Sequence, residues 1–306
     1  MPSASEKKTL RFMDMMREAG VNFSADHPVA ALSSFKIGGT VAVGVFPESR
    51  DQLVSAISAA DSCEIRSLIV GNASNMLFAF DRFDGVMIFT GKLTDISVCG
   101  NRIICDAGVS LTHLSNIAAK NSLRGLEFAY GIPGLLGGSV FMNAGAYGGQ
   151  MSDVIDYTLA YDRRIGEVYR IYDGGFDYRT SRYSKNESLV CLGASLMLMR
   201  GDLETIRAKM EQNIACRREN QPLEFASAGS YFKRPEGHFA GKLIEDCGMK
   251  GYSIGGAAVS DKHAGFIINL GGATYSDVLA LEETVIKKVE QNFGVTLERE
   301  VRVISN

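Results

Sequence analysis

Apolar and polar positions alternate along the chain in a way that interleaves strands and helices from end to end. Residues 1–30, opening MPSASEKKTLRFMDMM, read as a helical lead-in and then a loop near Asp26-His27-Pro28. VAVGVFP (41–47) predicts a strand. Ser49 stands three residues before Gln52, the spacing of a capping box, and so predicts the start of a helix through DQLVSAISAA. SLIVG (67–71), GVMIFT (85–90) and RIICDAG (102–108) are short β-type runs, and a helix opens at Ser110 into LTHLSNIAAK. Further strands are expected at 157–161, 167–172 and 189–199, then an amphipathic helix over 202–219. GFIINL (265–270) is strand-like. Ser276 and Asp277 are expected to cap a helix through LALEETVIKKVEQNF, with Glu283 and Lys287 paired at i,i+4 and Gly294 ending it. EVRVI (300–304) closes the chain as a strand.

Glycine breaks this pattern twice. Residues 131–149 carry seven glycines and one proline, too many for a continuous helix, so shaped loop around short helical pieces is expected. A second glycine-rich zone spans 229–256. Interleaved strands and helices make the class mixed α and β. The helix at 202–219 reads as a hinge between a first unit, which holds the 131–149 loops, and a second from about 201 onward.

Composition narrows the function classes. The 306 residues are 46% hydrophobic and 22% charged, with a formal net charge of −3, so no global nucleic-acid footprint is present. The pairs Arg163-Arg164 and Arg217-Arg218 are local. Six cysteines are scattered without a Cys-x-x-Cys pair or zinc-like spacing, so reduced, mostly buried thiols and no metal site are expected. No signal peptide and no apolar run approaching about 18 residues is visible, so the expectation is a cytoplasmic protein without a membrane partner.

Two segments suggest ligand chemistry. In GNASNMLF (71–78) a strand runs into Gly71 and small residues follow, which lets backbone N–H groups approach an anion. It is neither G-x-G-x-x-G nor a Walker A loop, and alone it is a weak signal that reads more readily as an ordinary strand-to-loop turn. In GIPGLLGGSVFMNAGAYGG (131–149) glycines permit close backbone approach to a bulky ligand, and Ala144, Gly145 and Ala146 leave room for a flat ring. Two backbone-rich loops suggest a large phosphate-bearing cofactor, although tight turn packing also accounts for the second.

Together with Ser34-Phe35-Lys36-Ile37-Gly38-Gly39, these loops closely resemble the flavin-binding loops of the UDP-N-acetylenolpyruvoylglucosamine reductase (MurB) family. The likeness continues in order through Tyr178-Arg179-Thr180-Ser181, the run SAGSYFKRPEGHFAGKLIEDCGMKGYSIGGAAVSDKHAGFIIN (227–269) and Glu300-Val301-Arg302, covering nearly all of 33–304. The short spacing from Arg179 to the SAGS segment resembles the family's second type, which lacks an inserted substrate-gating loop.

The resemblance implies an α+β fold of the PCMH, vanillyl-alcohol-oxidase type. A two-subdomain FAD-binding domain over 1–200 (roughly 1–85 and 86–200) would precede a smaller α+β substrate-binding domain over 201–306, whose last strand can pack back on the first. It implies non-covalent FAD, NADPH as reductant, UDP-N-acetylglucosamine enolpyruvate as substrate, UDP-N-acetylmuramate as product, and a monomer. The flavin would lie against Gly71, Asn72, Ala73, Ser74, Asn75, Gly131, Ile132, Pro133, Gly134, Gly137, Gly138, Asn143, Ala144, Gly145 and Ala146. Arg179 would stabilise the enolate formed after hydride transfer, Ser230 would protonate it, and Glu300 would polarise the substrate carboxylate. Tyr178, Arg217, Tyr231 and Lys233 would bind substrate. Taken without the resemblance, Ser230 is a turn serine and Glu300 a strand-edge carboxylate. Three positions depart from the family: Ala73 replaces a glycine, Ala226 a proline, and Asn220 a lysine expected at the diphosphate. Two other readings stay open: a related FAD-dependent oxidoreductase on another substrate, and a degenerate flavin or nucleotide-sugar binder.

Overall fold

The computed structural model describes residues 3–306, so the first two residues of the expected lead-in lie outside it. The chain divides into two compact units, each built from separated segments. The first comprises Met1–His27, Ala42–Asn72 and Asp84–Cys216; the second comprises Pro28–Val41, Ala73–Phe83 and Arg217–Asn306.

In the first unit a four-stranded sheet runs in the order Asn22–Pro28, Thr40–Phe46, Arg82–Phe89, Ser67–Val70. The loop expected near Asp26-His27-Pro28 is thus an edge strand. An edge tolerates the terminal proline, which has no N–H to pair, and Asp26 turns left-handed (φ 47°) within it. The helix Arg50–Ser62 begins at Ser49, whose hydroxyl accepts the Gln52 N–H at 3.2 Å, while Gln52 Oε1 accepts from Glu48 N at 2.8 Å. Leu53, Ala56, Ile57 and Ala60 line its buried face against Val43, Val45, Val86 and Ile88.

The second sheet of this unit is antiparallel, in the order Glu167–Ile171, Ile155–Asp162, Leu189–Met197, Arg102–Asp106, Ile96–Cys99. Eight of the nine residues of Leu189–Met197 are buried. Val190 and Leu192 join the core of the first sheet, whereas Cys191, Ala194 and Leu196 join a core built with Leu111, Leu114, Leu136 and Val140. Burial on both faces is why this strand is continuously apolar in sequence rather than alternating. Cys105 and Cys191 lie inside, where burial pushes their thiols up to about 12. Cys99 and Cys216 are exposed, so the cysteines are less uniformly buried than expected.

The helix Leu203–Asn220 buries only Ile206, Met210 and Asn213, a narrow stripe rather than a broad amphipathic face. Ile206 and Met210 pack on Ala119, and Asn213 Nδ2 donates to the Glu127 carbonyl at 2.9 Å. These contacts hold the helix in the first unit as far as Cys216, so the division falls near its end and not at 201.

The second unit is an antiparallel sheet, ordered Ala226–Ser230, Phe266–Asn269, Ala257–Val259, Ser253–Ile254, with two helices. Helix Tyr275–Phe293 presents Val278, Leu281, Val285 and Val289 to the core, where they meet Leu243 and Ile244 of helix Ala240–Asp246. Thr274, not Ser276 or Asp277, is the N-cap: its hydroxyl accepts Asp277 N–H at 3.1 Å, and Asp277 Oδ2 accepts Thr274 N–H at 2.9 Å. Asp277 is the third helical residue in this reciprocal box. Gly294 closes the helix with φ 67°, as expected. The terminal strand Arg302–Ile304 pairs in parallel with Met76–Phe78, leaving Glu300 just before the strand. Among the described residues no helix is long and apolar enough to cross a membrane.

Candidate active site

The motif segments fall into both units, and the chain passes from one to the other inside the 71–75 loop. In the first unit, strand Ser67–Val70 delivers Gly71 and Asn72 to the long glycine loop. Asn72 Nδ2 donates to the Pro133 carbonyl at 2.8 Å, and a Cβ at Gly71 would lie 3.7 Å from Leu135. The loop is tied from beneath: Gly131 N–H donates to Thr112 Oγ1, Leu136 N–H to the Val109 carbonyl, and Gly137 N–H to the Ala107 carbonyl. A Cβ at Gly137 would stand 3.0 Å from Ala107 Cβ, so this glycine serves helix packing. Gly138, next to it in the short helix Leu136–Phe141, would place a Cβ in open space, as would Gly148.

Non-glycine residues with left-handed backbone concentrate in the motif segments. Lys36 (φ 59°), Ala73 (45°), Asn143 (44°), Tyr147 (51°) and Arg179 (54°) are five of the eight such residues among those described. Such backbone is costly for a side chain bearing Cβ, and it persists where surrounding contacts impose it, as at ligand sites. Ala73 thus occupies a backbone conformation that favours glycine, the residue the resemblance implies there.

Asn143 shows how the constraint is imposed. Its amide donates to Gln150 Oε1 and the Asp177 carbonyl, both at 3.2 Å, and its Oδ1 accepts Ser152 N–H at 3.0 Å. Its own N–H donates to the Val140 carbonyl at 3.3 Å, so side chain and backbone alike are held within the loop. The same bracket fastens the glycine loop to the Tyr178-Arg179 segment. There Asp177 and Thr180 exchange backbone hydrogen bonds, and Ser181 Oγ donates to the Phe141 carbonyl at 2.8 Å while capping the next short helix. Arg179 sits inside this turn. Its Nη2 donates to the Gly145 carbonyl at 3.2 Å, and its guanidinium lies 5.2 Å from the Tyr178 ring centroid. The fold therefore brings Arg179 onto the candidate cofactor loop, across 34 residues of sequence.

In the second unit, strand Ala226–Ser230 breaks register between Ser227 and Ser230, where Gly229 takes φ 80°. The break sends Ser230 to the surface and turns Tyr231 inward. Glu300 is half-buried, its N–H donating to the Tyr231 carbonyl at 2.9 Å. Its own carbonyl accepts from Asn75 Nδ2 at 3.2 Å, and Arg302 N–H donates to the Asn75 carbonyl at 3.0 Å. The side chain of Asn75, expected at the cofactor, thus braces Glu300. Ser34 Oγ lies 2.7 Å from the Ser227 carbonyl and 3.3 Å from that of Ala73, linking the 34–39 segment to both motifs.

The expected substrate contacts fare unevenly. Tyr178 is exposed. Lys233 is paired with Glu298 at 3.0 Å, and Arg217 Nη1 donates to Gln221 Oε1 at 3.1 Å. Tyr231 is corrected: its side chain is fully buried and its hydroxyl donates to Glu282 Oε2 at 2.8 Å, which withdraws it from a ligand's reach. Burial and the adjacent Glu282 raise its pKa, so the hydroxyl stays protonated. Two residues passed over in the sequence converge there, since Arg299 Nε donates to Glu282 Oε1 at 2.7 Å. The available signal was a glutamate four residues after Val278, on the apolar stripe of an amphipathic helix.

These loops fit a flavin dinucleotide. They offer glycine faces open to a ligand at Gly138 and Gly148, backbone held in left-handed turns, and a cation beside the loop. Neither 71–75 nor 131–149 contains the His or Cys that a covalent flavin link would use.

The chain is similar in sequence and fold to known proteins. A family model described as FAD binding domain matches residues 27–172, and one described as UDP-N-acetylenolpyruvoylglucosamine reductase, C-terminal domain, matches 221–304. Among curated relatives, the UDP-N-acetylenolpyruvoylglucosamine reductase of Caldicellulosiruptor bescii is 43% identical over 298 residues, covering 96% of this chain and 95% of its own. That of Clostridium botulinum strain Hall is 46% identical over 285 residues, covering 92% of each. The crystal structure of the Thermus caldophilus enzyme (MurB) superposes with a TM-score of 0.78 at 30% identity, covering 93% of this chain and 99% of its own. The fold is accordingly a PCMH-type FAD domain with a smaller C-terminal domain.

Proposed function

The chain belongs to the UDP-N-acetylenolpyruvoylglucosamine reductase family, and on that premise we propose that it reduces UDP-N-acetylglucosamine enolpyruvate to UDP-N-acetylmuramate for peptidoglycan synthesis, with NADPH as reductant. We assign FAD to the first unit, on Gly71, Asn72 and the 131–149 loop, and substrate handling chiefly to the second. The observation that carries this reading is the placement of Arg179 on the Gly145 carbonyl, imposed by a strained turn and a buried asparagine bracket. When bound, FAD supplies hydride to the methylene carbon of the enolpyruvyl group.

The protein's part is electrostatic and steric. The planar guanidinium fork of Arg179 suits the substrate carboxylate as negative charge grows there. Ser230, turned outward by the break at Gly229, donates a proton to the carbon that bears the ether oxygen. Glu300, positioned through its backbone, polarises the same carboxylate. Tyr178, Lys233 and Arg217 hold the nucleotide sugar. The enzyme works as a cytoplasmic monomer, and its flavin is bound without a covalent link.

The test is NADPH oxidation by purified, flavin-loaded protein with and without the enolpyruvyl substrate. Oxidation that requires the substrate and yields one UDP-N-acetylmuramate per NADPH is expected. Protein that binds FAD but consumes no NADPH in response to this substrate refutes the assignment.

A further inference from the structure

Helix Tyr275–Phe293 turns a carboxylate into the core of the second unit. Glu282 is only 5% exposed among residues such as Val278, Leu281 and Val285. Taking a carboxylate out of water is expensive, and buried ion pairs are often replaceable by apolar residues without loss of stability. A well-packed leucine would serve the helix as well, so stability alone does not explain Glu282.

Its two oxygens reach two different segments. Oε2 accepts from the Tyr231 hydroxyl at 2.8 Å, and Oε1 accepts from Arg299 Nε at 2.7 Å. Tyr231 directly follows Ser230, and Arg299 directly precedes Glu300. The two segments also run antiparallel and are joined at the backbone. Phe232 bridges Arg299, Glu300 N–H donates to the Tyr231 carbonyl at 2.9 Å, and Lys233 N–H donates to the Glu298 carbonyl at 2.8 Å. Tyr231 N–H is fixed in turn to the Gly265 carbonyl at 2.8 Å. One carboxylate therefore grips the neighbours of Ser230 and Glu300, two of the three residues assigned to the reaction.

We propose that Glu282 is a positioning residue: through Tyr231 and Arg299 it sets the alignment of Ser230 with Glu300 for protonation of the reduced substrate. This rests on the assignment of those two residues to the enolpyruvyl reaction. The clamp has no part in flavin reduction, so the two half-reactions separate it from a general structural role.

Two variants test it. Glu282→Gln keeps the volume and one acceptor but loses the charge facing Arg299; Tyr231→Phe removes only the hydroxyl. Flavin-loaded protein is reduced with dithionite and mixed with UDP-N-acetylglucosamine enolpyruvate, and reoxidation is followed by flavin absorbance. A misplacement of about 1 Å can cost roughly 100-fold in rate. Reoxidation slowed by about 10- to 100-fold is expected for Glu282→Gln, with a smaller loss for Tyr231→Phe. Substrate affinity of the oxidised enzyme and the rate of flavin reduction by NADPH should remain near wild type. Amide hydrogen exchange supplies a readout independent of turnover: residues 230–233 and 298–301 are expected to exchange faster in both variants. Wild-type reoxidation with wild-type exchange in either folded variant overturns the proposal, as does equal slowing of both half-reactions. If wild-type protein itself fails to reoxidise with this substrate, the functional assignment falls, while the exchange data still decide whether the clamp exists. Should Glu282→Gln not fold, Tyr231→Phe decides alone.

Discussion

Gly138 is the position where stability and cofactor binding should part most clearly. It lies inside the helix Leu136–Phe141, where glycine is unfavourable relative to alanine by about 0.5–1 kcal/mol. A Cβ built there meets no protein atom within 4 Å, so Gly138→Ala introduces no clash in the protein alone. Flavin-free Gly138→Ala is therefore expected to be more stable than wild type by about 0.5–1 kcal/mol, a rise in Tm of about 1–4 °C. The added methyl fills the space through which a ring system would approach the loop. If the flavin occupies that space, overpacking costs about 1–3 kcal/mol, a loss of FAD affinity of roughly 5- to 150-fold. Gly137→Ala is the matched control, since its Cβ would lie 3.0 Å from Ala107 Cβ and should destabilise the flavin-free protein instead. Stability is read by calorimetry on stripped protein. Affinity is read by titration against the flavin's own emission, because the chain has no tryptophan. A Gly138→Ala protein that binds FAD as tightly as wild type would refute the placement of the cofactor on this helix.

Ser230→Ala should leave flavin reduction by NADPH intact and slow reoxidation by the enolpyruvyl substrate about 10²–10⁴-fold, the usual contribution of a general acid. Stopped-flow absorbance follows both halves, and wild-type reoxidation would remove Ser230 from the role; Tyr231, buried on Glu282, is not placed to substitute. A second effect concerns pH. His263 accepts the Gly265 N–H on Nδ1 at 3.0 Å, and burial lowers its pKa below the ordinary histidine value. The folded protein then holds this proton less readily than the unfolded chain. Its contribution to stability is intact above about pH 6.5 and is lost progressively as pH falls below it. Urea midpoints should fall between pH 7.5 and 5.5, less so in His263→Asn; equal slopes in the two proteins would contradict this.

Local rules made much of the fold legible in the sequence. Capping chemistry placed the helix after Ser49, glycine placed the end at Gly294, and β-type runs placed most long strands. The ordered motifs also marked Arg179, Ser230 and Glu300 as candidates. These signals work because hydrogen-bond capping, backbone freedom and apolar periodicity act over three or four residues. Where two local solutions compete, the pattern misleads. Thr274, rather than Ser276 or Asp277, caps its helix because Asp277 is needed to complete the reciprocal bond. The 22–28 segment became an edge strand because a neighbouring strand was there to pair with it.

Only the tertiary structure decided which side chains are available to a ligand. Asn75 and Asn143 look like ligand residues in a motif, yet their amides hold Glu300 and Asp177. Tyr231 lies beside Ser230 in sequence but points the opposite way, as successive residues of extended chain do, and the register break before them decides which of the two enters the core. The convergence of Tyr231, Glu282 and Arg299 spans 68 positions and has no local signature, since a hydrogen bond between distant residues depends on the path of the chain between them. Sequence determined which elements form and which residue types carry the chemistry; the packing of those elements determined which of them face a ligand and which hold the others in place.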